Sequence, residues 1–412
     1  MKILLYHPTG NANVRAAVEG LHKANMLFGF RTSIANFSGS LLDKLSSFSP
    51  LTELSRRRFD VAFKDKTRTW PWRELGRLVS SKAGLSNLVK HEKGFFSVDS
   101  VYHSLDRYVA SSIMRLHAQK KIDAVYGYED GSEESFRVAR LLGMRCVYDL
   151  PIGYWRAARL LLETERERWP EWVTTLTGFE DSETKLARKD NELRLADLII
   201  VASQFTADTL REFGDTLAPI LIIPYGFPAV GEQRQYTDTS NGRPLKLLFV
   251  GGLSQRKGIA YLFAAAAALG SRIELTVVGH KATDNCPALD SALRLHRWIP
   301  SLPHAEVLKI MRAHDILVFP SLFEGFGLVI TEAMSQGTPV ITTNRTAGPD
   351  LIEHGRNGWI VEAGSTVALQ KAIEHLLLHP ASVAEAGRAA METARSRPWK
   401  QYGYELAAAL AK

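Results

Sequence analysis

The chain has 412 residues, of which 45% are hydrophobic and 23% charged, and its formal net charge at pH 7 is +7. This composition is that of a soluble globular protein, and the length predicts two domains of roughly 200 residues each. No apolar run approaches the roughly 18–20 residues of a membrane-spanning helix, and Met1–His7 predicts a first strand rather than a signal peptide.

Short apolar runs alternate with helical patterns along the first half. Lys2–Tyr6 predicts a strand, Val14–Leu27 a helix and Arg31–Ala35 a second strand, which together form a βαβ unit. The Thr9–Asn13 loop would then lie at the carboxyl edge of a parallel sheet, where ligands bind in such folds. A helix over 155–170 is also predicted, and the further strands are Ala124–Tyr128, Arg145–Tyr148, Leu198–Ala202 and Ile220–Ile223.

Residues 40–120 are irregular and predict helices and loops inserted on the sheet. The segment Arg56–Lys93 has eleven Lys and Arg against four Asp and Glu, a surplus of seven that equals the whole net charge. Its basic residues alternate with aromatic residues, so the segment could bind nucleic acid, anionic lipid or an anionic acceptor. It could also be a solvated surface without a partner. Because no nucleic-acid motif accompanies it, we favour a membrane surface or an acceptor and expect no nucleic acid.

A polar stretch over residues 231–243 predicts a linker between an N-terminal domain over 1–230 and a C-terminal domain over 244–394. Two open α/β units joined in this way form a cleft between their sheet edges. A last helical pattern, Trp399–Leu410, could pack on either domain. The strands predicted in the second unit are Leu245–Val250, Glu274–Val278, Ile316–Phe319, Val340–Thr342 and Trp359–Val361.

Only two cysteines occur, Cys146 and Cys286, with no Cys-x-x-Cys pair. This usage indicates a reduced, cytosolic compartment.

The first glycine turn of the second unit is Val250-Gly-Gly-Leu-Ser-Gln-Arg-Lys-Gly258. Gly251 and Gly252 would allow the backbone to approach a ligand closely. Arg256 and Lys257 would supply positive charge to a diphosphate. The turn matches neither a Walker A loop nor a dinucleotide fingerprint, and by itself it could equally be a surface feature.

A second glycine turn follows the predicted strand Ile316–Phe319 and leads into a helical segment. Such a strand, turn and helix start aim free backbone N–H groups at an anion. Glu324 and Glu332 flank that position, about 12 Å apart if the segment were fully helical. A nucleotide sugar, with phosphates in the middle and hydroxyls at both ends, would fit between them. Glutamate near a helix start also has a purely structural role in complementing the helix dipole.

Taken together, these motifs resemble the retaining family-4, or group 1, glycosyltransferases of GT-B fold. The resemblance covers nearly all of residues 196–380 and is thin before them. It rests on Glu324-x7-Glu332, Gly337-Thr-Pro-Val340, Gly355-Arg-Asn-Gly-Trp359, the Val250–Gly258 loop, Ala196-Asp197, Val201-Ala-Ser203 and Pro224-Tyr-Gly226.

The resemblance implies two Rossmann-like domains facing each other across a cleft, with residues 395–412 crossing back onto the N-terminal domain. It also implies transfer of a sugar from a UDP-, GDP- or ADP-sugar to a glycan, lipid-linked or small-molecule acceptor. Two other functions stay open: a nucleotide-sugar epimerase or hydrolase of the same fold, and a non-catalytic sugar-nucleotide-binding protein.

Roles for individual residues follow from the same resemblance. Arg256 and Lys257 would neutralise the donor pyrophosphate, Glu324 would contact the donor sugar beside the reacting carbon, and Glu332 would bind the ribose hydroxyls. The catalytic set is thus Glu324, Arg256 and Lys257. The remaining donor-binding positions are Gly10, Gly251, Gly252, Gly325, Phe326, Gly327 and Leu328.

One feature departs from the family. Its members usually carry a histidine at the end of a strand in the N-terminal domain, facing the donor sugar. Here the matching stretch is Val147-Tyr-Asp-Leu-Pro151, so Tyr148 or Asp149 is the possible sugar contact. No Asp-x-Asp motif occurs, and we expect neither an obligatory metal nor another cofactor.

Overall fold

The computed structural model describes residues 1–40, 43, 57–176, 179–236 and 242–412. Arg56, the first residue of the basic segment, and residues 237–241 of the predicted linker lie outside the described residues. Among the described helices, none is long and apolar enough to cross a membrane.

Nine strands form among the described residues of the first half of the chain. Seven make one parallel sheet in the order β5-β2-β1-β6-β7-β8-β9, while β3 and β4 pair separately. In chain order they are β1 (Ile3–Tyr6), β2 (Leu27–Thr32), β3 (Asn36–Phe37), β4 (Arg58–Phe59), β5 (Thr67–Thr69), β6 (Ala124–Tyr128), β7 (Arg145–Leu150), β8 (Leu198–Val201) and β9 (Ile220–Ile222).

Helices of this half flank the sheet and connect its strands. In chain order they are α1 (Ala12–Lys23), α2 (Trp72–Lys82), α3 (Ser86–Val89), α4 (Val98–Ala118), α5 (Glu133–Leu141), α6 (Trp155–Arg168), α7 (Glu183–Leu195) and α8 (Gln204–Thr209).

Six further strands form a second parallel sheet, in the order β12-β11-β10-β13-β14-β15. They are β10 (Leu245–Val250), β11 (Ile273–Val278), β12 (Arg297–Ile299), β13 (Ile316–Phe319), β14 (Val340–Thr343) and β15 (Gly358–Val361). The helices of this half are α9 (Ile259–Leu269), α10 (Pro287–Leu293), α11 (His304–Arg312), α12 (Leu328–Ser335), α13 (Gly348–Leu351), α14 (Thr366–Leu378), α15 (Ala381–Ser396) and α16 (Trp399–Ala411).

The central strands are buried on both faces, as parallel strands covered by helices must be. All four residues of β13 are buried, and so are all five of β6. This burial explains why both strands were predicted from the sequence as continuous apolar runs. The prediction of an α/β protein built from two open parallel sheets is confirmed.

The last helix, α16, packs against α1 in the N-terminal domain. The two helices cross at a pair of glycines, and a Cβ atom on Gly20 would lie 2.1 Å from the carbonyl oxygen of Gly403. Tyr402 is fully buried, and its ring contacts that of Tyr225 edge-on at 5.2 Å. The chain therefore ends on the domain where it began.

Two predictions about the elements were wrong, and one strand was missed. The second strand is Leu27–Thr32 rather than Arg31–Ala35, because α1 ends at Lys23 and Asn25, with φ 57°, turns the chain into the sheet early. Thr67–Thr69, predicted as part of an insertion, pairs with β2 as an edge strand. Arg297–Ile299, which was not predicted, is the other sheet's edge strand.

Candidate functional site

The two glycine turns lie side by side because β10 and β13, which lead into them, are neighbours in the sheet. Gly258 closes the first turn with φ +70°, and a Cβ atom there would lie 2.0 Å from the carbonyl oxygen of Pro320. Leu322 N–H donates to the carbonyl oxygen of Arg256 at 2.9 Å. Backbone contact therefore fixes one turn against the other.

Arg256, Lys257 and Glu324 are brought together by this arrangement. The Lys257 ammonium contacts the Glu324 carboxylate directly, and the Arg256 guanidinium lies 3.4 Å from the same oxygen. Arg256 also donates to the carbonyl oxygen of Phe323 at 2.7 Å. Burial lowers the pKa of Lys257 well below its ordinary value, and the charge of Arg256 adds to this. A charged Lys257 therefore requires an anion beside it, which Glu324 supplies here.

Helix α12 begins at Leu328, directly after the second turn. Gly327 precedes it with φ 87°, a left-handed conformation that favours glycine, and no side chain caps the helix. The N–H groups of its first turn are therefore available to an anion in place of a side-chain cap. Since the helix begins only at Leu328, Glu324 and Glu332 are not separated by eight helical residues as the estimate of about 12 Å assumed.

Glu332 lies on α12 and lines a cavity of about 640 Å³ between the two domains. Its carboxylate forms a hydrogen bond of 3.0 Å with His304 Nε2, and this bond raises the pKa of His304. The cavity has the volume of a small-molecule site. Its lining comes from both domains: Ala12, Arg15, Arg58, Pro228, Val250, Leu302, His304, Val307, Leu328, Thr331, Glu332 and Trp399.

On the N-terminal side, Gly10 lies in the turn after β1. A Cβ atom at this position would lie 2.6 Å from the ring of Phe59, and the carbonyl oxygen accepts a hydrogen bond from Arg15. Arg15 also lines the cavity. Gly251 and Gly252 lie at the end of β10, across the cleft, and a Cβ atom on Gly252 would meet nothing within 4 Å.

Tyr148 and Asp149 are adjacent on β7, so their side chains leave opposite faces of the sheet. The Tyr148 hydroxyl is buried and donates to Glu192 at 3.0 Å. Asp149 is also buried, accepts a hydrogen bond of 2.7 Å from the Tyr126 hydroxyl, and has its pKa raised to about 7 by burial. The structure therefore places the two candidate sugar contacts in different surroundings.

His7 was missed in the sequence analysis. It follows β1 directly, its Nδ1 lies 3.0 Å from Thr9 N, and its ring contacts that of Tyr128 edge-on at 4.7 Å. Burial lowers its pKa to about 4, so the imidazole is neutral at physiological pH. Tyr128 is also the cross-strand neighbour of Asp149, so His7 and Asp149 both lie next to Tyr128. The available signal was a histidine at the carboxyl end of the first strand.

The turn that carries Glu324 is held by the N-terminal domain as well. The carbonyl oxygen of Gly325 accepts hydrogen bonds from Ser203 Oγ at 2.6 Å and Thr206 Oγ1 at 2.8 Å. A Cβ atom on Gly325 would lie 2.0 Å from the carbonyl oxygen of Pro151. We call this contact the interdomain clamp. It fixes the Glu324 turn from both sides of the cleft.

Residues 234–393 match the family model described as Glycosyl transferases group 1. The part of the chain that forms the second parallel sheet is therefore similar to the group 1 glycosyltransferases. The glycogen synthase of Mycobacterium tuberculosis is 31% identical over 209 residues, which are 48% of this chain and 50% of the relative. The D-inositol 3-phosphate glycosyltransferase of Pseudarthrobacter chlorophenolicus is 30% identical over 235 residues, 52% of this chain and 56% of the relative. The matches thus span about half the length of these glycosyltransferase relatives.

Solved structures resemble the whole chain. Sucrose-phosphate synthase from Thermosynechococcus elongatus superposes with a TM-score of 0.66 at 18% identity, covering 100% of this chain and 98% of the other. The Anabaena protein HepE, solved in complex with UDP, gives a TM-score of 0.61 at 17% identity, with both chains covered to 100%. At these identities the likeness concerns the fold alone, and it confirms the expected GT-B fold.

Proposed function

We propose that this protein is a retaining glycosyltransferase that moves a sugar from a nucleotide-diphosphate sugar to a glycan, lipid-linked or small-molecule acceptor. The observation that carries this proposal is the convergence of Arg256 and Lys257 on Glu324, in two turns whose flanking residues Val250 and Leu328 line the cavity that holds Glu332. Two partly buried cations with a single carboxylate between them suit a dianionic diphosphate. The group 1 family match of residues 234–393 supports the same function.

In this proposal Glu324 stands where the diphosphate would bind. The bound diphosphate takes over the neutralisation of Lys257, which releases Glu324 to the hydroxyls of the donor sugar. As the bond between the anomeric carbon and the diphosphate oxygen breaks, negative charge grows on the leaving group. Arg256, Lys257 and the start of α12 stabilise that charge. The acceptor hydroxyl gives its proton to the departing diphosphate oxygen as its own oxygen bonds to the anomeric carbon.

Glu332 binds the ribose hydroxyls in this proposal, and His304 orients it. Asp149, rather than Tyr148, is the contact from the N-terminal domain, because the Tyr148 hydroxyl is already bound by Glu192. Gly10, Gly251, Gly252 and the backbone of residues 325–328 complete the donor site.

Because Arg256 and Lys257 supply the positive charge, we propose that transfer needs no obligatory metal. UDP, GDP and ADP are all candidate nucleotides; HepE was solved with UDP, which makes UDP the first to test. We further propose domain boundaries at residues 1–230 and 244–394. The location proposed is cytoplasmic, with peripheral contact to anionic membrane through the basic segment.

Lys257→Ala tests the donor site. Removing the ammonium takes away one charge-assisted contact to the diphosphate, so the affinity for UDP, GDP or ADP, whichever binds, should fall by about tenfold or more. Calorimetric titration measures this affinity, and release of the nucleoside diphosphate from the matching sugar donor measures turnover. Both should fall.

Lys371→Ala is the matched control, because Lys371 is an exposed lysine on α14, in the same domain. Its affinity and turnover should equal those of the unchanged protein. If Lys257→Ala binds every nucleotide as tightly as the control and turns over as fast, the diphosphate assignment is wrong. Donor consumption at the same rate without any acceptor would instead indicate a hydrolase.

A further inference from the structure

Large apolar side chains are exposed in one part of this protein far more than elsewhere. Among the described residues, seventeen large hydrophobic side chains are exposed, and eight of them lie between residues 61 and 98. Exposed apolar side chains gathered in one surface region indicate an interaction site. The eight are Val61, Trp72, Leu75, Val79, Leu85, Leu88, Phe95 and Val98.

Helix α2 turns its polar side toward the protein and its apolar side toward solvent. Its buried residues are Glu74 and Ser80, whereas Trp72 is 69% exposed and Val79 is 66% exposed. Trp72, Leu75 and Val79 are spaced i, i+3 and i+7, so they form one stripe along the helix. We call this stripe the apolar ridge. A helix that packs only against its own protein would face the opposite way.

Ionic contacts within the N-terminal domain hold the helix in this orientation. The Glu74 carboxylate, only 2% exposed, contacts Arg57 and accepts two hydrogen bonds of 2.8 Å from Arg77. Breaking a buried ion pair by rotating the helix would leave a charge uncompensated. The exposure of the ridge is therefore built into the fold and is not a loose surface detail.

Exposed lysines follow the ridge closely along the chain. Lys82 ends α2, and Lys90 and Lys93 follow α3; all three are exposed and make no ion pair with any described residue. Arg73 stacks its guanidinium on the ring of Phe95 at 3.5 Å, which holds that exposed aromatic side chain beside the helix. An apolar stripe with Trp at one end and lysines around it is the pattern of a helix that lies in a membrane interface.

We propose that the apolar ridge inserts into the surface of an anionic bilayer, with α2 lying in the plane of the interface. This inference deepens the peripheral membrane contact proposed above and does not depend on the sugar-transfer chemistry. The lysines are attracted by anionic headgroups. The apolar side chains of the ridge move from contact with water to contact with lipid. Because the net positive charge of the chain is concentrated in this segment, an anionic bilayer fits the surface better than a neutral one.

Vesicle co-sedimentation tests the insertion. The purified full chain is mixed with phosphatidylcholine vesicles, with or without phosphatidylglycerol, at low and at high salt. The wild type should bind the anionic vesicles, and Trp72→Ser/Val79→Ser should bind them about tenfold or more weakly. Leu141→Ser/Leu160→Ser, which changes two equally exposed helix positions outside the segment, should bind like the wild type.

A second measurement reports depth directly. Lipids brominated near the headgroup should quench part of the tryptophan emission of the wild type, and this quenched part should be lost in Trp72→Phe. The conservative variant keeps an aromatic ring, so it should still bind the vesicles.

The outcomes separate the two membrane proposals. No binding of the wild type to anionic vesicles at low salt would overturn both. Binding that is equally strong in the ridge variant, with no quenching at Trp72, would overturn insertion while leaving an electrostatic contact. Equal loss in the Leu141→Ser/Leu160→Ser control would likewise overturn the ridge as the inserting surface.

Discussion

Asp149 is buried at the carboxyl end of β7, where burial raises the pKa of its carboxyl group to about 7. Tyr126 donates one hydrogen bond to it, which partly offsets the cost of holding a charge there. The buried hydroxyl of the adjacent Tyr128 has no hydrogen-bond partner among the described residues. A buried polar group without a hydrogen-bond partner costs free energy, so this hydroxyl lowers the stability of the fold.

Asp149→Asn should change how stability depends on pH. The folded carboxyl group keeps its proton up to about pH 7, whereas the unfolded one loses it near 3.8, so the wild type loses stability as pH rises between these values. Because unfolding releases this one proton, the free energy of unfolding falls by roughly 1.4 kcal/mol per pH unit between the two pKa values. The variant has no such proton and lacks this pH dependence. Urea unfolding from pH 4 to 8 should therefore show a difference between the two proteins that grows up to about pH 7 and stays constant above it.

Asp65→Asn is the control, because Asp65 is exposed. Its stability should follow the wild type at every pH. Parallel curves for wild type and Asp149→Asn would contradict the raised pKa of Asp149.

At the scale of elements, two strand–glycine–helix units form the C-terminal half of the site. β10 leads through its turn to α9, and β13 leads through its turn to α12. Gly258 permits the first turn to touch Pro320 in the second because it has no Cβ atom and a left-handed backbone. The positions of Lys257 and Glu324 thus depend on one glycine contact.

Gly258→Ala should destabilise the protein by about 2 kcal/mol or more, because it adds both backbone strain at φ +70° and a collision with the Pro320 carbonyl. Chemical unfolding measures this loss. Gly214→Ala separates the two causes: its φ is +75°, and nothing lies within 4 Å of an added Cβ atom. It should cost only about 1 kcal/mol. Equal losses in the two variants would contradict the close contact.

For the whole molecule, two connections set the geometry of the cleft. The interdomain clamp holds the Glu324 turn to the N-terminal domain, and α16 returns from the C-terminal domain to pack on α1. Arg397, just before α16, also donates to the carbonyl oxygen of Pro224. Both connections bring backbone segments into close contact, so neither tolerates added volume.

Gly20→Ala should loosen α16, because the new methyl group would collide with the Gly403 carbonyl oxygen. We expect a loss of about 1 to 3 kcal/mol in stability and faster amide hydrogen exchange over residues 399–411. Ala408→Gly is the control: it costs up to about 1 kcal/mol in helix propensity without adding volume. If amide hydrogen exchange over residues 399–411 is no faster in Gly20→Ala than in this control, then α1 and α16 are not in tight contact at Gly20.

The sequence alone determined the elements whose burial is complete. Strands such as Ile316–Phe319 are covered on both faces and are therefore continuous apolar runs. The two glycine turns and their charged residues follow those strands directly, so half of the candidate site could be predicted. The apolar runs, the glycine turns and their charged residues are each recognised from residues that are neighbours in the sequence.

Tertiary structure decided the rest. The edge strands β5 and β12 are only three residues long and partly polar, so no apolar run marks them in the sequence. Our proposal of Asp149 rather than Tyr148 rests on the hydrogen bond from the Tyr148 hydroxyl to Glu192, a partner that strand periodicity cannot reveal. The apolar ridge faces solvent because Glu74, on the opposite side of the helix, forms an ion pair with Arg57. In each case the deciding partner is distant in sequence, and only folding brings it close.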